Sequence, residues 1–287
     1  MHRQPHRIAD SIASAVPELT LTVVDIALLL VLGLGAGVVG GMLGIGGSII
    51  TIPAMAIIFF ARPWSSQHLF QATAMISNVF VAIPAARKHM RSGLLAPGLH
   101  RKMLPATMIA IVVGVLVSDQ LSSRVLKLLF ALFLLWVVIE SIVKLMTHRH
   151  DYELKDANLT PARAGVVGGV MGLVAGLLGV GGGAVAVPMA HKVCRLPLTN
   201  CIAASAAVMC ITAPVGAVLK VARIGAHGST WHEPVVLALM LAPTAILGSH
   251  FGASLTRRVP VRVLRALFAL AVLAAAIRLF WQVTATG

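Results

Sequence analysis

Two short glycine-rich stretches hold the residues best suited to chemistry in this sequence. Glycine disfavours a helix by about 1 kcal/mol per residue relative to alanine, so a helix is expected to break at each stretch. A helix that restarts after a break presents unpaired backbone N–H groups and the positive end of its dipole. Each stretch therefore suits an anion, and the alternative is a tight turn that binds nothing. The residues are Gly44, Gly46, Gly47 and Ser48 in the first stretch, and Gly179, Gly181, Gly182 and Gly183 in the second.

Polar residues follow both stretches within otherwise apolar segments. In a membrane such groups need partners, which neighbouring helices or a bound solute can supply. Hydrogen bonds between helices are one interpretation. Substrate contact by Ser77, Asn78 or Ser205 is the other, because each follows a predicted break. The polar residues are Gln71, Thr73, Ser77 and Asn78 after the first stretch, and Asn200 and Ser205 after the second.

The composition defines the class of protein that must position these residues. Of 287 residues, 58% are hydrophobic and 11% are charged, and the mean hydropathy is +0.94. A soluble domain carries about 25% charged residues, so this chain could not cover a water-facing surface. The sequence predicts an all-α, polytopic membrane protein of about eight transmembrane helices. The first element of each half is expected to be broken by its glycine-rich turn.

The net charge of +14 comes from basic clusters between apolar runs. Such clusters set membrane orientation, so no nucleic-acid partner is expected. With eight spans and the N-terminus inside, fourteen Lys and Arg residues lie inside and nine outside. This count predicts a cell inner membrane protein with both termini cytoplasmic. A contrary cluster is formed by Arg257, Arg258, Arg262 and Arg265.

An internal duplication organises the chain. When Pro53 is aligned with Pro188, six glycines of the first half coincide with six of the second. The predicted divisions are an N-terminal segment (1–22), repeat 1 (23–146), a hydrophilic linker (147–161) and repeat 2 (162–284). Internal repeats typify secondary transporters, whose site lies where the repeats meet. The repeats are parallel if each half has four spans, and inverted if the first element of each half enters and leaves on one side.

Three glycines in each half recur every four residues on one helical face, which allows close helix packing. They are Gly33, Gly37 and Gly41 in the first half, and Gly168, Gly172 and Gly176 in the second.

Few charged residues lie within the apolar segments. Glu140 in repeat 1 and Arg278 in repeat 2 occupy equivalent positions, 138 residues apart. They are predicted to pair across the halves, either as a structural ion pair or as a proton-linked gate. Lys220 and Arg223 end one span. They are expected to snorkel and set topology, and the alternative is that they draw anions toward the mouth of a pathway.

No pattern predicts catalysis or a cofactor. Residues 35–40 match the form G-x-G-x-x-G, but no strand precedes them and no acidic residue follows at the spacing of a dinucleotide site. No P-loop, metal-ligand spacing or nucleophile–base set is present. The chain is therefore predicted not to be an enzyme, with no cofactor and no metal.

The turn G-x-G-G-(S/G), followed after a few apolar residues by Pro once in each half, resembles the sulfite exporter TauE/SafE family. The resemblance runs from about Val24 to Phe280 and includes Arg91-Ser-Gly93 and Arg223-Ile-Gly225. It implies export or uptake of sulfur-containing anions such as sulfite, organosulfonates or sulfoacetate. The sequence departs from the family at Ser77-Asn78 and Ala204-Ser205, where members more often carry Thr-Ser.

These patterns together predict a secondary transporter of a small inorganic or organic anion, held between the two breaks. The expected partners are that anion and the lipid bilayer, with a second copy of the chain as a candidate. The alternative is a membrane-embedded accessory or scaffold subunit without a solute site. The predicted substrate-binding residues are Gly44, Gly46, Gly47, Ser48, Ser77, Asn78, Gly179, Gly181, Gly182, Gly183 and Ser205.

Overall fold

The computed structural model describes residues 19–43, 46–91, 93, 95, 98–146, 152–255 and 261–285. Seven of the described helices (α1, α3, α4, α5, α6, α8 and α9) are long and apolar enough to cross a membrane. The all-helical membrane fold is thereby confirmed. The described residues form ten α-helices, which are α1 (Val23–Leu43), α2 (Ser48–Ile58), α3 (Gln67–Arg91), α4 (Leu99–Gln120), α5 (Ser123–Met146), α6 (Pro161–Leu178), α7 (Gly183–Cys194), α8 (Leu198–Arg223), α9 (His232–Leu255) and α10 (Val261–Ala285).

Helices α1 and α2 form a hairpin that returns to the face from which it starts. Gly47, just before α2, lies against Ala36 of α1, because an added Cβ would be 3.0 Å from the Ala36 carbonyl oxygen. Asp25 in the first turn of α1 accepts two hydrogen bonds of 2.7 Å from Arg62, which follows α2. At 11 residues, α2 covers only about half the thickness of a bilayer.

Helices α6 and α7 form a second hairpin of the same kind. The end of α7 lies beside the start of α6, since Asn158 N–H donates to Cys194 at 2.9 Å and Arg163 donates to the Val193 carbonyl at 3.2 Å. An added Cβ at Gly182 would meet the Met171 carbonyl oxygen at 2.5 Å. Met171 and Gly182 stand 135 positions after Ala36 and Gly47, so the two hairpins share one geometry.

The end of the helix bundle where α1 begins is called face A here, and the opposite end face B. At face A the start of α3 meets the end of α4, because His68 Nε2 lies 3.1 Å from the Leu121 carbonyl oxygen. The end of α8 lies there too, since Arg223 pairs with Asp119 of α4 at 2.6 Å.

Face B carries the start of the second hairpin. Lys102 near the start of α4 donates to the Leu159 carbonyl at 2.7 Å, just before α6. Lys192 near the end of α7 pairs with Glu140 near the end of α5 at 3.0 Å. Helices α3, α4 and α5 therefore each run between the faces once. Because the first hairpin starts at face A and the second at face B, the two hairpins are inverted relative to each other.

The packing glycines join elements from opposite halves. An added Cβ at Gly37 of α1 would overlap the backbone of Ala245 in α9, and one at Gly172 of α6 would overlap the Thr107 carbonyl oxygen in α4. Gly33 and Gly41, and Gly168 and Gly176, make the equivalent contacts one turn away. Their predicted packing role is confirmed.

The predicted pairing of Glu140 with Arg278 is wrong. Glu140 pairs with Lys192 at face B, whereas Arg278 lies over the ring of Trp281, 5.2 Å from its centroid. Trp281 is next to Gln282, which donates to Ala56 of α2 toward face A. Inversion places equivalent positions of the two repeats at opposite faces, so these two side chains cannot meet.

Candidate functional site

Both glycine-rich stretches interrupt the helices, as predicted. Helix α1 ends at Leu43 and α2 begins at Ser48, whereas α6 ends at Leu178 and α7 begins at Gly183. The described residues of both breaks, 46–48 and 179–183, are buried within the protein. Gly44 lies outside the described residues.

The backbone conformation explains the glycines. Four of them have positive φ angles: Gly46 at 79°, Gly179 at 75°, Gly181 at 69° and Gly182 at 75°. A side chain at such an angle costs roughly 1–2 kcal/mol, so other residues are disfavoured there. Gly183, at the first position of α7, stands where the first hairpin carries Ser48.

The two breaks meet across Asn78 of α3 and Met209 of α8. An added Cβ at Gly46 would lie 3.0 Å from Asn78 Oδ1 and 3.3 Å from Met209 Sδ. One at Gly181 would lie 2.7 Å from Met209 Sδ and 2.9 Å from Asn78 Nδ2. Backbone from both halves therefore borders the same two side chains.

Asn78 is held by the first break. Its Nδ2 donates to Ser48 Oγ at 3.0 Å, and both residues are buried. Its Oδ1 is buried and has no hydrogen-bond partner among the residues that the structure describes. Amide oxygen and nitrogen are assigned from their hydrogen bonds, and a 180° turn of the amide lets Ser48 donate to Oδ1. In that orientation the NH₂ group faces Gly46 and can donate to an anion.

The starts of α2 and α7 supply further donors. Their N-caps, Gly47 and Gly182, make no side-chain capping hydrogen bond, and neither helix has an acidic residue in its first turn. The carbonyl of each N-cap accepts from the amides of the third and fourth residues after it, 50 and 51 in α2 and 185 and 186 in α7. The first two amides of each helix have no acceptor within the helix and point toward the breaks.

Two predicted contacts lie close by on the same helices: Ser77 directly precedes Asn78, and Ser205 lies one turn before Met209. Ser77 Oγ donates to the Thr73 carbonyl at 2.9 Å, and Ser205 Oγ donates to the Ile202 carbonyl at 3.0 Å. These bonds run within α3 and α8. Substrate contact by either hydroxyl stays a prediction.

Sequence reasoning missed Met209. It follows Asn78 by 131 positions, the same separation as between Gln67 and Leu198, the first residues of α3 and α8. The available signal was this register, which places Met209 opposite Asn78. An apolar residue in an apolar helix gave no other indication.

The prediction that Lys220 snorkels is wrong. Lys220 is 6% exposed, and its Nζ donates to Gln71 Oε1 and to Ser118 Oγ at 2.6 Å. After α8 the chain continues as a short 3₁₀ turn, Ile224–His227, and this turn lies between the lysine and the end of the bundle. Arg223, with a side chain 44% exposed, pairs with Asp119.

Comparison with known proteins identifies the family of this chain. Residues 29–279 match the family described as Sulfite exporter TauE/SafE. The chain belongs to this family. The resemblance predicted from the glycine turns is therefore confirmed.

Curated relatives carry transporter names. "Probable membrane transporter protein MamO" of Magnetospirillum gryphiswaldense is 27% identical over 91% of this chain and 46% of its own length. "Probable membrane transporter protein YunE" of Bacillus subtilis is 23% identical over 83% of this chain and 90% of its own length. A "Probable membrane transporter protein" of Haemophilus influenzae is 24% identical, over 89% and 98% respectively. The chain spans less than half the length of MamO. No solved structure matches it.

Proposed function

We propose that this TauE/SafE protein is a secondary transporter of a small sulfur-containing anion, bound where the two helix breaks meet. The observation that carries the proposal is the convergence of Gly46 and Gly181 on Asn78 and Met209. Sulfite, an organosulfonate or a sulfoacetate-type anion offers the oxygen acceptors that backbone and amide N–H groups bind.

The electrostatics of the breaks favour an anion. Helix α2 runs toward face A and α7 toward face B, so both begin in the interior and direct their positive ends at the breaks. Each helix N-terminus carries roughly half an elementary charge. Together they offset about one negative charge without placing a basic side chain in the breaks.

Inverted hairpins suit alternating access. In transporters with inverted repeats, one repeat rocks against the other around a fixed midplane site. Met209 fills the space between Gly46 and Gly181, and an unbranched thioether side chain changes rotamer readily. Withdrawal of Met209 as the hairpins rock would admit the anion from one face at a time.

We infer an orientation opposite to the sequence-based expectation. Each hairpin returns to its starting face, so residues between the two hairpins lie on the side of the membrane opposite to that given by a count of eight full spans. Basic residues favour the cytoplasmic side, so face B is cytoplasmic and both ends of the described chain, which lie at face A, point outward. Of the described Lys and Arg residues, 12 lie toward face B (Arg87, Lys88, Arg91, Arg101, Lys102, Lys144, Lys155, Arg163, Lys192, Arg195, Arg262, Arg265) and 6 toward face A (Arg62, Arg124, Lys127, Lys220, Arg223, Arg278).

Flux in proteoliposomes tests the proposal. Vesicles containing the purified chain would be loaded with unlabelled sulfite, methanesulfonate or thiosulfate, and uptake of the ³⁵S-labelled anion followed over time. Wild type should exchange at least one of these anions faster than empty vesicles. Absence of exchange for all three, under imposed pH and potential gradients, would sink the proposal and favour the scaffold alternative.

Matched glycine variants locate the site. Gly46→Ala and Gly181→Ala place a Cβ between the breaks at left-handed φ angles, and flux should fall at least tenfold. Gly35→Ala and Gly169→Ala add the same methyl group where no atom lies within 4 Å, so their flux should stay within twofold of wild type. Equal flux in all four variants would show that the anion does not pass between the breaks.

A further inference from the structure

A cationic cluster of Lys220, Arg223, His227 and His68 surrounds Asp119 at face A, beside the second break. Lys220 is 6% exposed, and its hydrogen bonds to Gln71 and Ser118 go to uncharged groups. Across the described part of the chain, no carboxylate lies within 4 Å of its amine. Burial of an ammonium without a carboxylate in contact is unfavourable, so an added negative charge beside Lys220 is favoured.

One carboxylate serves the rest of this cluster. Asp119 accepts from Arg223 Nε at 2.6 Å and lies 2.8 Å from His227 Nε2. His227 stacks on His68, with ring centroids 3.5 Å apart. Two basic side chains and two imidazoles thus surround a single acidic group, and an additional negative charge is favoured there.

A small cavity joins these groups. It holds about 10 Å³, the space of one water molecule, and its polar lining comes from His68, Asp119, Lys220, Arg223 and His227. An oxyanion does not fit beside the Asp119 carboxylate. It fits if Asp119 withdraws, because the two carboxylate oxygens already occupy positions where anion oxygens would accept from Arg223 and His227.

Gln71 connects the cluster to the second break. An added Cβ at Gly179 would lie 2.9 Å from Gln71 Cβ and 3.1 Å from its Cα. The Gln71 side chain is fully buried, its Oε1 accepts from Lys220, and within the described part of the chain its Nε2 has no hydrogen-bond partner. An anion that left the cluster would find this unfilled donor next to Gly179.

The carboxylate is not a requirement of the fold. In the later part of the repeats, each residue of repeat 2 aligns with the residue 138 positions earlier in repeat 1. Arg257 is therefore at the position equivalent to Asp119. A residue of opposite charge at the equivalent position indicates that the repeated framework itself does not demand an acidic group there.

We propose that Lys220, Arg223 and His227 form an oxyanion-binding site at face A, in which the Asp119 carboxylate occupies the place of the anion until substrate arrives. The incoming anion takes Arg223 and His227 from Asp119 and adds a negative charge beside Lys220, whose own hydrogen bonds go to uncharged groups. It then passes by Gln71 to the break. This inference rests on the proposed transport of an anion, and assigns the site through which the anion enters or leaves.

Equilibrium binding to the full-length protein in detergent tests the site independently of transport. The probe is ³⁵S-sulfite, with sodium chloride adjusted to constant ionic strength. Lys220→Gln removes the buried charge and should weaken binding at least tenfold, whereas Lys220→Arg should stay within about threefold of wild type. The matched control is Lys192→Gln, an exposed lysine paired with Glu140 at face B, which should bind as wild type does.

Asp119→Asn is the decisive variant. Removing the resident carboxylate removes the competitor, so sulfite should bind about tenfold more tightly. Weaker binding in Asp119→Asn, or equal binding in Lys220→Gln and Lys192→Gln, would overturn the site. Melting temperatures measured without sulfite identify variants that fail to fold. If Lys220→Gln fails to fold, the comparison of Lys220→Arg with Asp119→Asn decides.

Binding and flux separate this inference from the proposed function. Wild-type binding with the expected variant effects, but without flux of any anion, supports the site and overturns the transporter. Wild-type flux with unchanged binding in Lys220→Gln overturns the site and leaves the transporter standing. No binding of sulfite, methanesulfonate or thiosulfate to wild type overturns the site, and flux alone then decides the transporter.

Discussion

Replacing Gly172 by alanine tests how the hairpin that carries the second break is held. Gly172 lies in α6, and its added Cβ would overlap the Thr107 carbonyl oxygen of α4 and lie 3.0 Å from Ala110 Cβ. Gly169, three residues earlier on the same helix, has no atom within 4 Å of its added Cβ. The two variants add the same methyl group to the same helix, one into backbone and one into open space.

The expected magnitudes follow from two opposing effects. Alanine is favoured over glycine in a helix by about 1 kcal/mol, and both variants gain this. At position 172 the two helices must also separate by roughly 1 Å to relieve the overlap, and overpacking of this kind costs about 1–3 kcal/mol. Gly172→Ala should therefore be less stable than Gly169→Ala by about 1–3 kcal/mol.

Unfolding by sodium dodecyl sulfate in mixed micelles, followed by circular dichroism, measures the difference. Flux should also fall in Gly172→Ala, because α6 ends at Leu178 and its displacement moves Gly179 against Gln71. A Gly172→Ala protein as stable as Gly169→Ala would refute the claim that close backbone contact between α4 and α6 fixes the hairpin.

Three further outcomes are expected. Asn78→Asp places a negative charge between the breaks; at about 4 Å and an effective dielectric near 20 the repulsion is about 4 kcal/mol, so sulfite flux should drop at least 100-fold, and an unchanged flux would contradict an anion site there. A double-mutant cycle of Asp25→Ala and Arg62→Ala in the same unfolding assay should give a coupling energy of about 1–3 kcal/mol, because the Asp25 side chain is only 4% exposed; zero coupling would show that this pair does not tie the hairpin. In a variant without native cysteines, a membrane-impermeant maleimide should label Trp231→Cys at face A in intact cells and leave Lys155→Cys unlabelled, and the reverse pattern would place the termini in the cytoplasm.

Local chemistry explains which features the sequence predicted. Dense glycine disfavours a helix wherever it occurs, so the breaks at Gly46 and Gly181 followed from composition alone. The spacing of Gly37 and Gly172 within their helices likewise predicted close packing, because it depends only on helical periodicity.

The direction of the chain after each break depends on distant partners. Nothing near Gly47 determines whether α2 continues across the bilayer or turns back. The return is fixed by Asp25 and Arg62, 37 residues apart, and in the second hairpin by Asn158 and Cys194. The sequence therefore left parallel and inverted repeats equally open. The number of Lys and Arg residues on each side of the membrane differs between these two arrangements, so the predicted orientation differed as well.

Lys220 was misinterpreted for a related reason. A lysine three residues before a helix end snorkels when that end faces lipid headgroups. Here the environment of the amine is set by Gln71 and Ser118, which are 149 and 102 residues away in sequence. Spacing within one helix carries no information about such neighbours.

Some of the residues that differ between the repeats lie where function is proposed. The packing glycines repeat faithfully because both hairpins need the same close contact with a helix of the other half. Beside the breaks two residues differ between the repeats: Asn78 is opposed by Met209, and Ser48 corresponds to Gly183. Two identical inverted repeats would make the states open to face A and to face B equal in energy. Residues that differ between the repeats are therefore the ones able to favour one state, and in this chain they line the space where an anion would bind.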